Sequence, residues 1–207
     1  MLTIGDCVVV KLNPEHNVQG FSCQDKNITN FIKNKSQNFN DELLSITYVF
    51  IHKDDPTEIL AYYTVSNDAL VIHNLPRTRK ERVAKNIPFL KRYIDTFPAI
   101  KIGMLGRHER KLVKGSGPLI INHIIGWIVK ENTFSACRFI VVDAHNVEPI
   151  LKMYSNIGFQ LLFSSETQEK EYFKIAKEKH LETRYMFYDI LPFAKQYKTM
   201  LAENNQH

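Results

Sequence analysis

Hydrophobic positions along the chain change period several times, and each change marks an element. Val8-Val9-Val10 with Leu12 is a short β-branched run closed by Asn13-Pro14, the pattern of a first strand. Ile28, Phe31, Ile32 and Lys35 then recur at helical spacing, which predicts one helix over residues 25–39 with Asp25 as its cap. TYVFIH (residues 47–52) and ILAYYTV (59–65) are strand-like runs on either side of an Asp54-Asp55-Pro56 turn, so they predict a hairpin. Residues 69–72 read as the continuation of the second strand beyond a bulge. Pro76, Pro88 and Pro98 punctuate the next stretch, which has room for one short helix. A fourth strand is expected over 99–105. The helix that follows, from Pro118 to about residue 130, is apolar on nearly every side and predicts burial against a sheet. CRFIVVDA (137–144) is a continuous apolar run, the pattern of a central strand covered on both faces. A helix near 148–156 closed by Gly158, a strand over 159–163, a strand over 184–191 and a terminal helix over 192–202 complete the chain. Residues 164–179 balance acidic against basic side chains and read as a solvated helix or a mobile excursion.

These elements add up to one α/β domain: a mixed sheet of about seven strands with helices on both faces. The 207 residues, 44% hydrophobic and 24% charged, suit a folded soluble chain with a sizeable core and set disorder aside. Three cysteines (Cys7, Cys23, Cys137) without a C-x-x-C spacing argue against a disulfide framework or a zinc site, and no metal is expected. The first residues lack a signal-peptide core, and no apolar run approaches the ~20 residues that span a bilayer. A cytoplasmic location without membrane contact is the expectation.

The formal charge of +5 suits a partner that carries phosphate, either a cofactor or a nucleic acid. Much of it is concentrated at Arg77, Arg79, Lys80, Arg82, Lys85, Lys91 and Arg92, opposed only by Glu81 and Asp95. Such a run is either a solvated connection or a surface for a phosphate backbone.

The chemistry concentrates in KIGMLGRHERKLVKGSGPLIINHIIGWIVKE, residues 101–131. A buried strand runs through a basic turn to Gly115-Ser116-Gly117 and then into an apolar helix. Small residues let backbone approach an anion, and free N–H groups at a helix start point toward it. A Walker loop would need Lys after Gly117, where Pro118 stands. A dinucleotide fingerprint would need glycine at Ile120. Neither pattern fits.

The ordered motifs resemble the GNAT superfamily of acyl-CoA-dependent N-acetyltransferases. Leu112-Val113-Lys114-Gly115-Ser116-Gly117 is similar to that family's (Q/R)-x-x-G-x-(G/A) pyrophosphate loop, with Leu112 where the family has Gln or Arg. Val142-Asp143-Ala144-His145-Asn146 resembles the end of its fifth strand. Pro149 to Phe159 resembles its A-x-x-(F/L)-Y-x-x-x-G-F segment, and 183–187 its closing strand. The likeness covers roughly residues 8–191. It implies a GNAT-like, mostly antiparallel sheet with splayed fourth and fifth strands, an acyltransferase domain over 1–191, and residues 192–207 as its helical extension.

The resemblance also implies site residues. Backbone groups near Leu105 and Arg107 would align the pantetheine arm of acetyl-CoA (coenzyme A). Val113, Lys114, Gly115, Ser116 and Gly117 would cradle its pyrophosphate, and Asn146 would contact the cofactor. Tyr154 would be the general acid that protonates the departing thiolate, because a phenol of pKa ~10 holds its proton at neutral pH. His108, Glu109, Asp143 and His145 are candidate bases among which the sequence makes no choice. The acceptor is a primary amine. Phe21, Cys23, Ile28, Phe31 and Ile32 resemble the branch that holds toxins acetylating aminoacyl-tRNA, and the basic stretch 77–92 would suit tRNA. A non-catalytic acyl-CoA-binding protein is the remaining alternative. An open sheet edge makes a homodimer plausible.

Overall fold

The computed structural model describes residues 4–84, 87, 94–110, 115–131 and 136–204. Seven strands hydrogen-bond in the order β1-β2-β3-β4-β5-β7-β6: β1 Cys7–Lys11, β2 Ile46–His52, β3 Ile59–Val71, β4 Thr96–Arg107, β5 Phe139–His145, β6 Gln160–Leu161 and β7 Thr183–Asp189. The pairs β1/β2, β2/β3, β5/β7 and β6/β7 are antiparallel. A helical crossover joins β4 to β5, and these two run parallel. The mostly antiparallel α/β sheet expected from the sequence is therefore the one formed. No helix among the described residues is long and apolar enough to cross a membrane.

The chain forms two compact units, each assembled from two separate stretches. The first comprises Met1–Asn67 and Lys101–Ile124, the second Asp68–Ile100 and Ile125–His207. In the first, Leu12, Phe21, Phe31, Ile32, Val49 and Tyr62 form a buried core. Helices α1 (Lys26–Asn34) and α2 (Ser36–Asp41) belong to this unit. In the second, Leu70, Ile72, Phe97, Phe139, Val141, Phe163 and Phe187 form another. It also holds α3 (Arg77–Ala84), α5 (Glu148–Ile157), α6 (Glu166–Phe173) and α7 (Leu191–Asn204). The intervening helix α4 spans Gly117–Glu131, one residue earlier than Pro118 suggested, with proline in its first turn.

Four details depart from the sequence pattern. The single helix expected over 25–39 is two, bent at Lys35 (φ −128°, ψ −28°). Ser36 Oγ donates to the Ile32 carbonyl at 2.7 Å, a local bond that competes with the helical ladder. Asp25 does cap the start, its carboxylate accepting from the N–H groups of Asn27 and Ile28. A bulge that the sequence pattern did not anticipate lies at Leu60, where the β2/β3 register shifts from Phe50↔Ala61 to Ile51↔Ile59, and β3 runs on through residues 69–71. Strand β6 is only two residues, and four residues beyond its end Ser165 Oγ accepts from Gln168 N–H and caps α6. The balanced stretch 164–179 accordingly contains an ordered helix rather than a mobile excursion.

That helix is held by a buried ion pair. Glu169 Oε2 accepts from Arg184 Nε at 2.6 Å and Oε1 accepts from Tyr185 N–H at 2.6 Å. Burial pushes the Glu169 carboxyl up, against the downward pull of Arg184 and the Tyr185 amide. At the other end of β7, Arg138 binds both oxygens of Asp189 (3.1 and 2.7 Å), and Asp189 also accepts from Leu191 N–H at the start of α7.

Candidate active site

The first unit carries the end of β4 and the residues around Gly115. Leu105 and Arg107 are half-buried at the end of β4, and the intervening Gly106 is buried. A Cβ at Gly106 would come within 2.7 Å of Ile28 and 2.9 Å of Tyr62, so only glycine lets this strand end lie against the core. Upstream, Met104 N–H donates to Thr64 Oγ1 at 2.9 Å, so a side chain completes the strand edge there. The displaced Leu60 carbonyl of the bulge accepts from His108 N–H at 2.8 Å and fixes where β4 stops.

Leu112, Val113 and Lys114 lie outside the described residues. Gly115 sits at φ +90°, in the left-handed region where glycine costs nothing, and a Cβ built on it would meet no atom within 4 Å. The first bond of the α4 ladder runs from Ile120 N–H to the Ser116 carbonyl at 3.0 Å. The amides of Gly117 and Leu119 precede it, and Pro118 has none to offer. The side chain of Ser116 is the informative one. The residue is 4% exposed, and its Oγ has no hydrogen-bond partner. Burying a hydroxyl unpaired costs about 1–3 kcal/mol, so the group stands ready for an acceptor oxygen. A left-handed glycine with an open flank, first-turn amides of a long helix and an orphaned hydroxyl together fit a pyrophosphate.

The second unit carries Asn146 and Tyr154. Asn146 follows β5, where its main-chain N–H donates to the Glu182 carbonyl at 2.8 Å. Its side-chain Nδ2 donates to Glu166 Oε1 and to the Leu181 carbonyl, both at 2.8 Å. Both amide hydrogens are therefore spent on bracing the strand end to α6 and the approach to β7. The carbonyl Oδ1 is what the side chain can offer a ligand.

Tyr154 lies on α5, which Gly158 closes at φ +115° as its glycine position predicts. The residue is 7% exposed and its ring meets Phe159 edge-on at 5.1 Å. Burial pushes its phenol up to about 12. The group is fully protonated at neutral pH and can give a proton but not take one. Its folded value lies above the ~10 of an exposed phenol, so its contribution to stability is complete below pH ~10 and is lost as pH rises through the folded value. Burial raises Tyr62, Tyr63 and Tyr185 further still. We expect alkaline unfolding to set in above pH ~10 and to carry the tyrosinate absorbance with it. Ionisation of all nine tyrosines while circular dichroism stays native would contradict the burial of these four rings.

The candidate bases separate clearly. His108 is buried; its Nδ1 accepts from Arg110 N–H at 3.2 Å and its ring bonds the Gly20 carbonyl. Burial pulls it below the usual histidine range, so it is a neutral imidazole committed to the backbone. Glu109 accepts from the Ser22 hydroxyl at 3.0 Å. Asp143 and His145 are exposed on β5. Among the described residues, none of these four candidates stands out as a dedicated base.

Of the basic stretch, α3 presents Arg77, Arg79, Lys80 and Arg82. Arg77 pairs with Glu81 at 2.7 Å, and Arg82 donates to Gln160 Oε1 at 3.0 Å. Lys85, Lys91 and Arg92 lie outside the described residues. Among the described residues no cluster of His, Cys, Asp and Glu could hold a metal ion. Sequence reasoning missed Thr64, Glu169 and Arg184. The only signal for the pair was a basic residue opening β7 and an acidic one inside α6, which pattern alone leaves on the surface.

No family model and no curated protein matches the chain by sequence. Solved structures do. AtaT complexed with acetyl-methionyl-tRNA superposes with a TM-score of 0.68 at 15% identity, covering 93% of this chain and 99% of that one. A tyrosine-to-phenylalanine mutant of KacT gives 0.67 at 18% identity, with the same coverages. A tyrosine-to-phenylalanine mutant of the AtaT toxin, bound to the C-terminus of the antitoxin AtaR and acetyl-CoA, gives 0.63 at 13%, again covering 93% and 99%. The likeness establishes that the chain has the GNAT-like fold of these proteins over nearly its whole length.

Proposed function

We propose that the chain is an acetyl-CoA-dependent N-acetyltransferase whose acceptor is the α-amine of an aminoacyl-tRNA, acting as the toxin of a toxin–antitoxin pair. The single observation that carries the cofactor is the orphaned Ser116 hydroxyl beside left-handed Gly115 at the start of α4. Acetyl-CoA supplies an activated thioester from which an acetyl group passes to an amine. Ser116 Oγ and the amides around Gly117 bind the pyrophosphate oxygens, with Val113 and Lys114 extending the cradle. The strand end at Leu105 and Arg107 aligns the pantetheine arm, and Asn146 offers its Oδ1 to it. Tyr154 holds a proton on its phenol at neutral pH and gives it to the sulfur as the C–S bond breaks. The amine loses its own proton to water, which removes the need for a dedicated base. Residues 1–191 form the acyltransferase domain and the terminal helix extends it.

The acceptor rests on two supports. AtaT, of the same fold, has a solved structure in complex with acetyl-methionyl-tRNA, and α3 carries a run of cations suited to a phosphate backbone. Calorimetry with acetyl-CoA, followed by a thiol-release assay with methionyl-tRNA, tests the two parts separately. Ser116→Ala is expected to weaken acetyl-CoA by roughly tenfold, the worth of one hydrogen bond. No binding of acetyl-CoA would end the enzyme reading. Binding without thiol release from aminoacyl-tRNA would leave the fold and cofactor standing and return the acceptor to another amine.

A further inference from the structure

Helix α6 brings two carboxylates to the strand ends of the second unit. Ser165 caps the helix, so Glu166 opens it and Glu169 follows three residues later on the same side. Glu169 is 2% exposed and bonded to Arg184 and to the Tyr185 N–H, which makes it a residue of the fold. Glu166 is half-buried and goes to Asn146, just past the end of β5, its Oε1 accepting from Asn146 Nδ2 at 2.8 Å. The other hydrogen of that amide goes to the Leu181 carbonyl, also at 2.8 Å.

A primary amide side chain can turn end for end, exchanging its oxygen and nitrogen with almost no change of shape. At Asn146 chemistry blocks that turn, because both groups that meet Nδ2 are acceptors with no hydrogen to give. The bond to Asn146 holds the Glu166 carboxyl below the usual carboxylate range, with Arg184 and Lys170 adding to the effect, so it is ionised at neutral pH. A turned amide would set Oδ1 against a carboxylate and a carbonyl and lose two hydrogen bonds at once. The orientation is therefore fixed, with Oδ1 on the side away from both. Of the two partners, only Glu166 contributes a side chain that substitution can remove.

We propose that Glu166 is a positioning residue of the acetyl-CoA site, holding the Asn146 amide so that its Oδ1 accepts from an amide N–H of the pantetheine arm. The inference rests on the acetyl-CoA reading proposed for the chain. Glu166 itself touches neither cofactor nor acceptor and acts only through Asn146. The two carboxylates of α6 thus divide their work: Glu169 fastens the helix to β7, and Glu166 uses the fastened helix to aim a ligand-facing oxygen. Because Glu166 is half-buried and its partner amide is neutral, its removal should move the melting temperature by no more than about 3 °C, unlike that of Glu169.

Calorimetry on the full chain tests this with two ligands: acetyl-CoA, and adenosine 3′-phosphate 5′-diphosphate, which carries the pyrophosphate but lacks the pantetheine arm. Glu166→Leu is expected to weaken acetyl-CoA by roughly tenfold, the worth of one hydrogen bond, and to leave the truncated ligand within about twofold of the wild type. Glu166→Gln keeps an acceptor oxygen for Nδ2 and should stay within about threefold for both. Adding Glu166→Leu to Asn146→Ala should weaken acetyl-CoA no further than Asn146→Ala alone, because a residue that acts through another then has nothing to act on. Three results would overturn the role of Glu166 while leaving the acetyl-CoA site standing: unchanged acetyl-CoA affinity in Glu166→Leu, equal loss of both ligands, or additive effects in the double variant. A wild type without affinity for acetyl-CoA would overturn the cofactor reading and this inference with it.

Discussion

Replacing Tyr154 by phenylalanine is expected to lower kcat by roughly a hundred- to ten-thousand-fold while leaving the affinity for acetyl-CoA intact. The ring keeps its edge-on contact with Phe159, 5.1 Å between centroids, so the substitution removes a hydroxyl and little packing. What disappears is the proton held on a phenol that burial keeps neutral far beyond physiological pH. The leaving thiolate must then depart unprotonated or take its proton from water. A single-turnover assay with acetyl-CoA pre-bound separates this from a binding defect. An unchanged kcat would remove Tyr154 from the mechanism and leave it a buried aromatic. Between pH ~6 and ~9 the rate should follow deprotonation of the acceptor amine, because Tyr154 titrates well above that window.

The second large effect concerns stability. Glu169→Leu is expected to destabilise the fold by about 3–5 kcal/mol, because it strands the Arg184 cation inside the protein. Their side chains are 3% and 8% exposed, and Arg184 Nη2 is buried with no hydrogen-bond partner. Losing the carboxylate would also free the Tyr185 N–H that it accepts from at 2.6 Å. For a chain of this size the melting temperature should fall by about 6–20 °C. The double variant Glu169→Leu with Arg184→Met should recover most of the loss, since it leaves no unpaired charge behind. A double variant as unstable as the single one would locate the cost in packing and not in the ion pair. The same pair ties α6 to the start of β7, so thermal melts of the single variant should show loss of both elements together.

The sites that sequence made legible share a property: their chemistry is written in consecutive residues. Gly115, Ser116 and Gly117 announce a small-residue turn before a helix, and the helix begins at Gly117 with Gly115 at φ +90°. Gly158 announces a helix end, and it caps α5. The expected helix over 25–39 failed at Lys35 because a hydroxyl at Ser36 found the Ile32 carbonyl, a choice that period alone does not reveal. The bulge at Leu60 had no signal in the hydrophobic pattern. Its position depends on how β2 pairs with β3, and the freed Leu60 carbonyl is taken by His108, 48 residues further on.

By itself, the sequence determined the periods of the elements, the glycine-defined turns and the apolar character of α4 and β5. Steric limits on φ and the 2.0 and 3.6 repeats act over a few neighbouring residues, so they are readable without the fold. Only the tertiary structure decided which polar atoms are spent and which remain. It gave the amide hydrogens of Asn146 to Glu166 and Leu181, buried Glu169 against Arg184, committed His108 to backbone groups, and left Ser116 Oγ without a partner. Each of those outcomes depends on groups brought together from distant parts of the chain, and a buried polar atom's role is set by whether such a group arrives.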